Sequence, residues 1–549
     1  MKCDPKYLSC WNRKRHSGRV KNENNILPTF LNVEKDFGRT AIIDFEKSLK
    51  YEDLFRESEI VARKIQNLCG CKSFDENERV LFQSVNDRRY TVITWAIWML
   101  GGVCVPISKS CSNSDLEYFV QDVEPSIIFE SSLLPFQLDY DTAVEVDIKE
   151  GNFINHSKTD VKYQNKPAMI VYTSGTTDRP KGVVLTHGNL CSQMSGMIQS
   201  WGWTNQDRIL HTLPLHHVHG IVNVLMTSLQ VGALCYMLPQ FDAKQVWRCL
   251  TEPLPQLGGE HINVFMGVPT MYAKLIQYYN KHITDTQTRD HIKHVCQSKI
   301  RLMVSGSAAL PEPVMTRWEE ITGHRLLERY GMTEIGMALS NPLHGPRIPG
   351  SVGLPFPNVE VCIVKKQEER SEKGYEVIVQ GDSSHTTVTP ECDNMIGELY
   401  VRGPNVFSEY WNKPHATHKS FTTDGYFKTG DSVVFGDEVY KIVGRTSVDI
   451  IKSGGYKIGA LEIERHILSH PNITDCAVVG VPDEIWGQKV ATVLVVADQG
   501  KMSVDEIKDF CKDKMSPYQI PKVVLCVEVM PRNAMGKVNK KELVKDLFS

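Results

Sequence analysis

Apolar and polar positions alternate along the first 340 residues in a way that predicts strands and helices in turn. Short apolar runs at residues 41–43 and 79–82 are typical of buried strands. Residues 51–68 carry apolar side chains at helical spacing, and residues 93–100 form a second, more apolar helical stretch. Alternation of this kind predicts α/β architecture, with helices packed on largely parallel sheets.

The pattern changes in two later parts of the chain. Between residues 365 and 395 the composition shifts to Glu, Lys, Ser, Thr and Asp, which predicts a surface excursion from a β-rich subdomain that resumes at residues 397–401. After Arg445, β-branched runs at residues 476–480 and 490–496 predict strands of a separate unit. About 100 residues suffice for a small domain, so we expect a domain boundary near residues 445–449.

Composition and charge exclude several classes of protein. The chain has 62 basic and 65 acidic side chains, a formal net charge of −3, 41% hydrophobic residues and 23% charged residues. These values are typical of a globular protein and exclude a disordered chain, a collagen and a dedicated nucleic-acid-binding domain. No apolar run reaches 18 residues, so no transmembrane segment is predicted. The 15 cysteines include no C-x-x-C pair, which favours reduced thiols.

The first 25 residues are unusually basic. Seven Lys or Arg and a single acid, Asp4, lie between Lys2 and Lys21. A mitochondrial presequence is basic and poor in acids in this way, although this segment is not rich in Ser. A basic tail without a targeting role is the alternative. Mitochondrial (matrix) and cytoplasmic locations both stay open.

Residues 172–182 form the most informative segment. They follow an apolar strand at residues 168–171, precede another at 183–185, and combine small residues, hydroxyls and Lys181. Small residues let backbone N–H groups approach an anion, and the hydroxyls and ammonium group can bind phosphate oxygens. Pro180 stands where a Walker A loop has its second glycine, so this is a different phosphate loop. A polar β-hairpin connection without a binding role is the alternative.

This segment resembles the signature loop T-S-G-T-T-G-x-P-K-G of the adenylate-forming enzymes, which include acyl-CoA synthetases, luciferases and adenylation domains. The resemblance implies an ATP-binding loop made of Thr173, Ser174, Gly175, Thr176, Thr177, Asp178, Arg179, Pro180, Lys181 and Gly182. Asp178 replaces the usual glycine. Asp tolerates left-handed backbone, but its charge is unfavourable beside a triphosphate.

Two further motifs resemble the same family. Residues 330–334 read Y-G-M-T-E, and the resemblance implies that Tyr330 stacks on adenine, Thr333 touches the α-phosphate and Glu334 holds Mg²⁺. Mg²⁺ takes oxygen ligands and bridges phosphates, which explains a carboxylate in this position. Residues 425–431 resemble G-W-x-x-T-G-D, which implies that Asp431 accepts hydrogen bonds from the ribose hydroxyls.

The resemblance also implies a fold and a division of labour between domains. The expected architecture is α/β: a large N-terminal domain of layered sheets and helices with a small β-barrel-like subdomain, plus a small mobile C-terminal α+β domain. We expect a basic segment at residues 1–25, an AMP-binding domain at 26–444 and the mobile domain at 445–549. No phosphopantetheine site adjoins the C-terminus, so no fused carrier domain is expected.

The mobile domain is expected to serve two half-reactions in turn. The resemblance implies that Arg445 binds ribose and phosphate and that Lys537 bridges the substrate carboxylate and the α-phosphate. Catalysis by Lys537 would stabilise charge that develops in the transition state. The CoA pantetheine would then pass Gly454, Gly455 and Tyr456. The hinge motif is one residue longer than usual, which leaves Ser447 and Val448 as alternative pivots.

Four segments, residues 213–220, 301–310, 328–337 and 445–452, resemble the malonyl-CoA synthetases within this family. A dicarboxylate would bury its second charge in the acyl pocket, and a buried charge requires a partner.

Three side chains are the candidates for this acyl pocket: Lys274, Arg301 and Ser307. A solvated helix lysine is the alternative for Lys274, and a surface ion pair is the alternative for Arg301.

Four histidines at positions 211, 216, 217 and 219 could suggest a metal site. Their spacing is not accompanied by a second ligand pair, as zinc sites usually require. The resemblance instead makes His217 a gate or wall of the acyl tunnel and a candidate catalytic residue.

The resemblance therefore implies an acid–thiol ligase with ATP, Mg²⁺ and CoA as cofactor and cosubstrates and malonate or methylmalonate as the acid, acting in fatty acid and lipid metabolism. Small molecules are the expected partners. A ligase for another short- or medium-chain acid, a carrier-loading adenylation domain and a nucleotide-binding pseudoenzyme remain alternatives. No G-x-S-x-G motif supports a serine hydrolase.

Overall fold

The structure is a computed structural model of the 549-residue chain. It describes residues 29–31, 33–68, 74, 76–129, 163–173, 179–366, 374–454, 456–532 and 538–548. Four β-sheets organise this part of the chain. Within it, no helix has both the length and the apolar character needed to cross a bilayer.

The first sheet has six strands and contains the strand that leads into the phosphate loop. Val103–Ile107 is buried at every position, as expected for a strand covered on both faces. It pairs in parallel with Arg79–Gln83, which confirms the strand predicted at residues 79–82. The strand order is Glu409–Tyr410, Lys181–Thr186, Pro167–Thr173, Val103–Ile107, Arg79–Gln83 and Ile127–Phe129.

The second sheet has nine strands and a parallel centre. The strand predicted at residues 41–43 is confirmed and pairs in parallel with Leu234–Met237. The strand order is Leu354–Pro355, Gly336–Ser340, Leu327–Met332, Leu302–Ser305, Val264–Gly267, Arg208–His211, Leu234–Met237, Thr40–Ile43 and Ser48–Lys50.

Helices cover these two sheets, and the predicted helix at residues 51–68 is confirmed. The second predicted helix begins earlier than expected, at Arg88, because the Asp87 side chain accepts a hydrogen bond from the Arg89 N–H and caps it. Arg88 is buried beside Asp44 with Nη1 3.0 Å from Oδ2, a pairing that local polarity does not predict. The α-helices in this part of the chain are Tyr51–Leu68, Arg88–Met99, Asn113–Val123, His187–Trp201, Thr227–Gln230, Ala243–Thr251, Pro269–His282, Thr286–Lys299, Glu312–Thr322 and Pro414–Ser420.

The third sheet is a curled antiparallel sheet of six strands. Its order is Thr386–Val388, Tyr375–Gly381, Glu360–Lys366, Gly397–Arg402, Phe427–Gly436 and Val439–Arg445. The predicted surface excursion at residues 365–395 is therefore partly wrong. Its polar composition conceals Tyr375–Gly381, in which Tyr375, Ile378 and Val379 are buried and form sheet contacts.

The fourth sheet begins at residue 450, after the third ends at Arg445. It contains Ile450–Ser453, Tyr456–Gly459, Ile473–Asp483, Gly487–Val496 and Val523–Cys526. The helices Ala460–Ile467 and Val504–Cys511 share one apolar core with this sheet, and Lys540–Phe548 packs into a second. The two predicted strands at residues 476–480 and 490–496 are confirmed. The whole arrangement is the expected α/β architecture with an α+β C-terminal part.

Candidate active site

The predicted phosphate loop connects two antiparallel strands. Thr173, at the end of Pro167–Thr173, lies opposite Lys181, the first residue of Lys181–Thr186. Five loop residues lie outside the described part of the chain: Ser174, Gly175, Thr176, Thr177 and Asp178. The two ends of the loop are thus fixed by strand pairing, and no helix follows it directly.

Aromatic side chains hold the second half of this loop. Tyr118 donates its hydroxyl to the Pro180 carbonyl at 2.7 Å, and the Arg179 guanidinium lies 5.1 Å from the Tyr118 ring centroid. The Lys181 ammonium lies 5.1 Å from the ring of Tyr410. These contacts position the cationic end of the loop against the strand Glu409–Tyr410.

Glu334 lies at the same place, directly after the strand Leu327–Met332. Its Oε1 accepts a hydrogen bond from the Tyr410 hydroxyl at 2.9 Å. Burial raises the pKa of this carboxyl, while the charges of Arg445 and Lys181 oppose the rise. Thr333, its neighbour, is partly buried. A buried carboxylate beside a phosphate loop is a donor that fits Mg²⁺, whose remaining ligands would be phosphate and water oxygens.

Asp431, Tyr330 and Arg445 form one hydrogen-bonded cluster. Asp431 faces Arg445 across the strands Phe427–Gly436 and Val439–Arg445. The Arg445 Nε lies 2.9 Å from Asp431 Oδ1, and Tyr330 donates its hydroxyl to Oδ2. Burial raises the pKa of Asp431, and Arg445 counteracts it.

The phosphate loop and this cluster face a common region. Arg445 acts electrostatically on both Asp431 and Glu334, and Lys181 acts on Glu334. Four predicted site residues from distant parts of the chain therefore lie close together: Lys181, Glu334, Asp431 and Arg445. One nucleotide could contact all of them.

The structure places the two candidate acyl-pocket cations, Arg301 and Lys274, in an ion pair and on an exposed helix face. Arg301 binds other residues: Nε and Nη2 donate to Asp207 at 2.6 and 2.7 Å, and Nη1 donates to the Trp201 carbonyl at 2.8 Å. Its position corresponds to the alternative of an ion pair, and its role in the acyl pocket stays a prediction. Lys274 is exposed on the helix Pro269–His282, whose buried side carries Tyr272 and Leu275. Its position corresponds to the alternative of a solvated lysine.

Arg329, which no sequence motif singled out as a pocket residue, is a buried cation in this region. Its side chain is only 3% exposed, and among the described residues Nε and Nη2 have no hydrogen-bond partner. Burial lowers its pKa from 12.5 to about 9. Gly306 makes room for it, because a Cβ at that position would lie 2.4 Å from Arg329 Cζ. Buried guanidinium groups normally have partners, so this one is suited to an anionic ligand.

Ser307 and His219 adjoin this guanidinium. The Ser307 hydroxyl lies 3.0 Å from His219 Nδ1, and Ser307 adopts a left-handed conformation with φ of 67°. Burial, followed by the charge of Arg329, lowers the pKa of His219 well below 6.5. A neutral imidazole and a hydroxyl beside a cation could together bind a carboxylate. The sequence signal was a pair of charged residues, Glu328 and Arg329, in a strand that is buried at its start.

His217 lies at the start of an unusual helix. Its carbonyl accepts a hydrogen bond from the Ile221 N–H at 3.0 Å, and residues His219–Met226 form a π-helix. Wider helical turns of this type occur frequently at functional sites. The His217 ring packs on His216, with ring centroids 4.3 Å apart. Its predicted role as a gate stays a prediction.

The segment expected to meet CoA lies on the C-terminal sheet. Gly454 has φ of 55°, and a Cβ there would lie 2.8 Å from the Trp486 ring. Tyr456 is 53% exposed and stacks on Tyr518 with centroids 4.2 Å apart. Lys522 lies 4.7 Å from the Trp486 ring, which adds a cation to this aromatic surface. Gly455 and Lys537 lie outside the described residues.

The hinge region is held by reciprocal hydrogen bonds. The Arg445 N–H donates to Asp449 Oδ2 at 2.9 Å, and the Asp449 N–H donates to the Arg445 carbonyl at 2.8 Å. Lys540 donates to the second oxygen of Asp449 and lies 2.7 Å from Glu464 Oε1. The choice between Ser447 and Val448 as pivot stays open.

Comparison with known proteins gives matches along nearly the whole chain. A family model described as AMP-binding enzyme matches residues 30–411, and one described as AMP-binding enzyme C-terminal domain matches residues 462–537. The mitochondrial malonate–CoA ligase ACSF3 of Xenopus laevis is 47% identical over 97% of this chain and 94% of its own length.

Two solved structures are similar at the level of the whole chain. ATP-bound MatB from Rhodopseudomonas palustris has a TM-score of 0.76 and 27% identity, covering 95% of this chain and 100% of that one. A malonyl-CoA ligase with methylmalonyl-CoA and AMP bound has a TM-score of 0.60 and 31% identity, with coverage of 92% and 100%. With the family models matching both parts of the chain, this protein belongs to the AMP-binding enzyme family.

Proposed function

We propose that this chain is an AMP-forming malonate–CoA ligase. In the first step, a malonate carboxylate oxygen attacks the α-phosphorus of ATP, and the bond to the β-phosphate oxygen breaks to release pyrophosphate. In the second, the CoA thiolate attacks the carbonyl carbon of malonyl-AMP, and the C–O bond to AMP breaks. The 47% identity to a frog malonate–CoA ligase supports this activity. Methylmalonate is a second substrate, supported by the related ligase with methylmalonyl-CoA bound.

The buried Arg329 is the observation that carries the choice of a dicarboxylic acid. A monocarboxylate presents only the carboxylate that reacts, whereas malonate has a second one that must be neutralised in the pocket. Arg329 supplies a fork of donors, and Ser307 and His219 supply a hydroxyl and an imidazole nearby. Arg–carboxylate pairs of this kind are short, charge-assisted and often bidentate.

The nucleotide is held by the cluster around Glu334. Lys181 and the backbone of residues 173–182 bind phosphate oxygens, and Asp431 and Arg445 bind the ribose. Tyr330 presents its ring to adenine while its hydroxyl is anchored on Asp431. Mg²⁺, held by Glu334, would neutralise phosphate charge.

The C-terminal part supplies the remaining groups. Lys537 stabilises the charge that develops at the α-phosphate, and Thr333 contacts the same phosphate. Pantetheine then passes the backbone at Gly454 and Gly455, with Tyr456 beside it. His217 closes the acyl site during the second step. We further propose that residues 26–444 and 445–549 are the two domains.

The basic residues 1–25 direct the protein to the mitochondrial matrix in this proposal, with the cytoplasm as the alternative. The Xenopus relative is named mitochondrial, which supports the first location. A matrix enzyme of this kind would supply malonyl-CoA to fatty acid and lipid metabolism.

Pyrophosphate release tests this function. Purified protein, MgATP and CoA are incubated with mono- and dicarboxylic acids of two to eight carbons. We expect the highest kcat/KM with malonate and a low value with acetate. Equal use of acetate or hexanoate would identify a ligase for another acid. Hydroxylamine trapping of malonyl-AMP by the wild type, and its loss in Lys537→Ala, would exclude a pseudoenzyme.

A further inference from the structure

A cavity of about 460 Å³ separates the large body from the C-terminal part. One wall is the helix Glu312–Thr322 of the large body, and the other is the helix Ala460–Ile467. Its lining residues are mostly charged or polar: Glu312, Pro313, Thr316, Arg317, Glu320, Arg465, His466, Ser469 and Lys514. The space is open to solvent, and the two helices make few direct contacts across it.

Arg465 is the side chain that crosses from the C-terminal helix to the body. Gly350 has φ of 74°, and a Cβ built on it would lie 2.3 Å from Arg465 Nη1. The guanidinium therefore occupies the space above the Gly350 backbone, which only glycine leaves open. Its Nε is buried and has no hydrogen-bond partner among the described residues.

Glu328 is the charge on the body that faces Arg465. Its side chain is 2% exposed, and Oε1 accepts a hydrogen bond from the Leu310 N–H at 3.1 Å. Burial raises the pKa of Glu328 to about 7, and Arg465 is the charged group that opposes this rise. Glu328 immediately precedes Arg329 in the strand Leu327–Met332. An ionised Glu328 is thus best stabilised when the C-terminal part is docked in this orientation.

The orientation itself is the one suited to the first half-reaction. Gly454 is exposed and Tyr456 is half exposed, so the segment expected to meet CoA is not covered by the body. The whole chain also resembles the ATP-bound ligase more closely than the ligase with thioester and AMP bound. Alternation between two domain orientations is a conformational step that can limit turnover.

We propose that Arg465 is a positioning residue that holds the C-terminal domain in the adenylate-forming orientation by docking on Gly350 and Glu328. This inference rests on the proposed function, because it assigns Arg465 to one half-reaction of that ligase. Arg465 contacts no substrate. It acts by favouring the domain orientation that serves the first half-reaction.

The test separates the two half-reactions in full-length protein. Malonate-dependent ATP–pyrophosphate exchange reports the first, and conversion of synthetic malonyl-AMP and CoA to malonyl-CoA reports the second. We expect Arg465→Ala to lower the first by about two- to fivefold, because the charge attraction to Glu328 and the packing over Gly350 are lost, and to leave the second unchanged or faster. Arg317→Ala is the matched control: Arg317 lines the same cavity but binds Glu320 and Asn280 within the body.

Glu328→Gln provides an independent arm, since the amide oxygen still accepts from Leu310 but the charge is gone. If Arg465 acts through Glu328, the double variant will lose little more than either single variant. Equal loss in both half-reactions, or no loss in either, would overturn the inference.

Hydrogen exchange distinguishes this failure from a failure of the proposed function. Arg465→Ala with ATP bound should expose amides of Ala460–Ile467 faster than wild type. Unchanged exchange there would also overturn the inference, whatever acid the enzyme uses.

Discussion

Replacing Arg329 gives the sharpest test of how this chain selects its acid. Arg329→Met removes the charge and keeps an unbranched side chain of similar reach in a site that is only 3% exposed. Malonate would then bury its second carboxylate without a cation. Arg329→Lys keeps the charge but loses the planar fork, so its effect should be intermediate.

The magnitude follows from the burial of the site. Truncating one partner of a buried, hydrogen-bonded charge pair costs about 2–5 kcal/mol. At about 1.4 kcal/mol per tenfold change, we expect kcat/KM for malonate to fall by roughly 30-fold to a few thousandfold. The kcat/KM for acetate or propionate should stay constant or rise. These acids have no second carboxylate, so their uncharged methyl end no longer has to lie beside a buried charge.

The same substitution should stabilise the free protein. Among the described residues, two nitrogens of Arg329 lack a hydrogen-bond partner, and its pKa falls from 12.5 to about 9. A buried charge held in this way costs several kcal/mol, which Arg329→Met removes. A higher Tm together with lost malonate use would therefore separate a binding role from a structural one.

Steady-state pyrophosphate release with malonate and propionate, and thermal unfolding without ligands, supply the measurements. Lys274→Ala is the matched control, since its exposed ammonium should change neither activity nor Tm. The reasoning fails if Arg329→Met lowers kcat/KM equally for malonate and propionate, or if Lys274→Ala abolishes malonate use instead.

Two further outcomes are expected. Asp431→Asn should raise the KM for ATP by about tenfold, because it weakens the link to Arg445 and Tyr330; an unchanged KM would contradict its nucleotide role. His187 is buried and neutral, and its pKa is lowered from 6.5 to about 3. Since the unfolded state binds the proton more tightly, the free energy of unfolding should fall as pH drops below about 6.5, with a smaller slope in His187→Phe measured by urea unfolding.

Local patterns in the sequence were enough to predict the layered fold and to single out most residues of the candidate nucleotide site. The buried strands at residues 41–43 and 79–82 follow from continuous apolar runs, which need no knowledge of distant residues. Tyr330, Asp431 and Arg445 were each identified within a short motif. Their mutual hydrogen bonds then came from strand register, in which Asp431 faces Arg445.

Charged residues were harder to predict because their partners lie far away along the chain. Arg301 was proposed for the pocket, but Asp207, 94 residues before it, takes both arms of its fork. The helix predicted to start at residue 93 begins at Arg88, whose buried charge is neutralised by Asp44. Arg329 is the opposite case. No described residue pairs with its Nε and Nη2, and the sequence alone does not show that these two donors are unused. Whether a charged side chain in a buried strand pairs with another residue or is left to bind a ligand depends on tertiary contacts alone.

The link between Lys540 and the hinge has a mechanical consequence. Lys540 begins the last helix, three positions after Lys537, and it binds Asp449 beside the hinge and Glu464 in the helix Ala460–Ile467. Any rotation about residues 446–449 must therefore move the last helix together with the helix Ala460–Ile467 as one rigid unit. Deleting the final ten residues, which include Lys540, would leave two buried carboxylates without their cation, so the damage would spread from the C-terminal helix to the hinge.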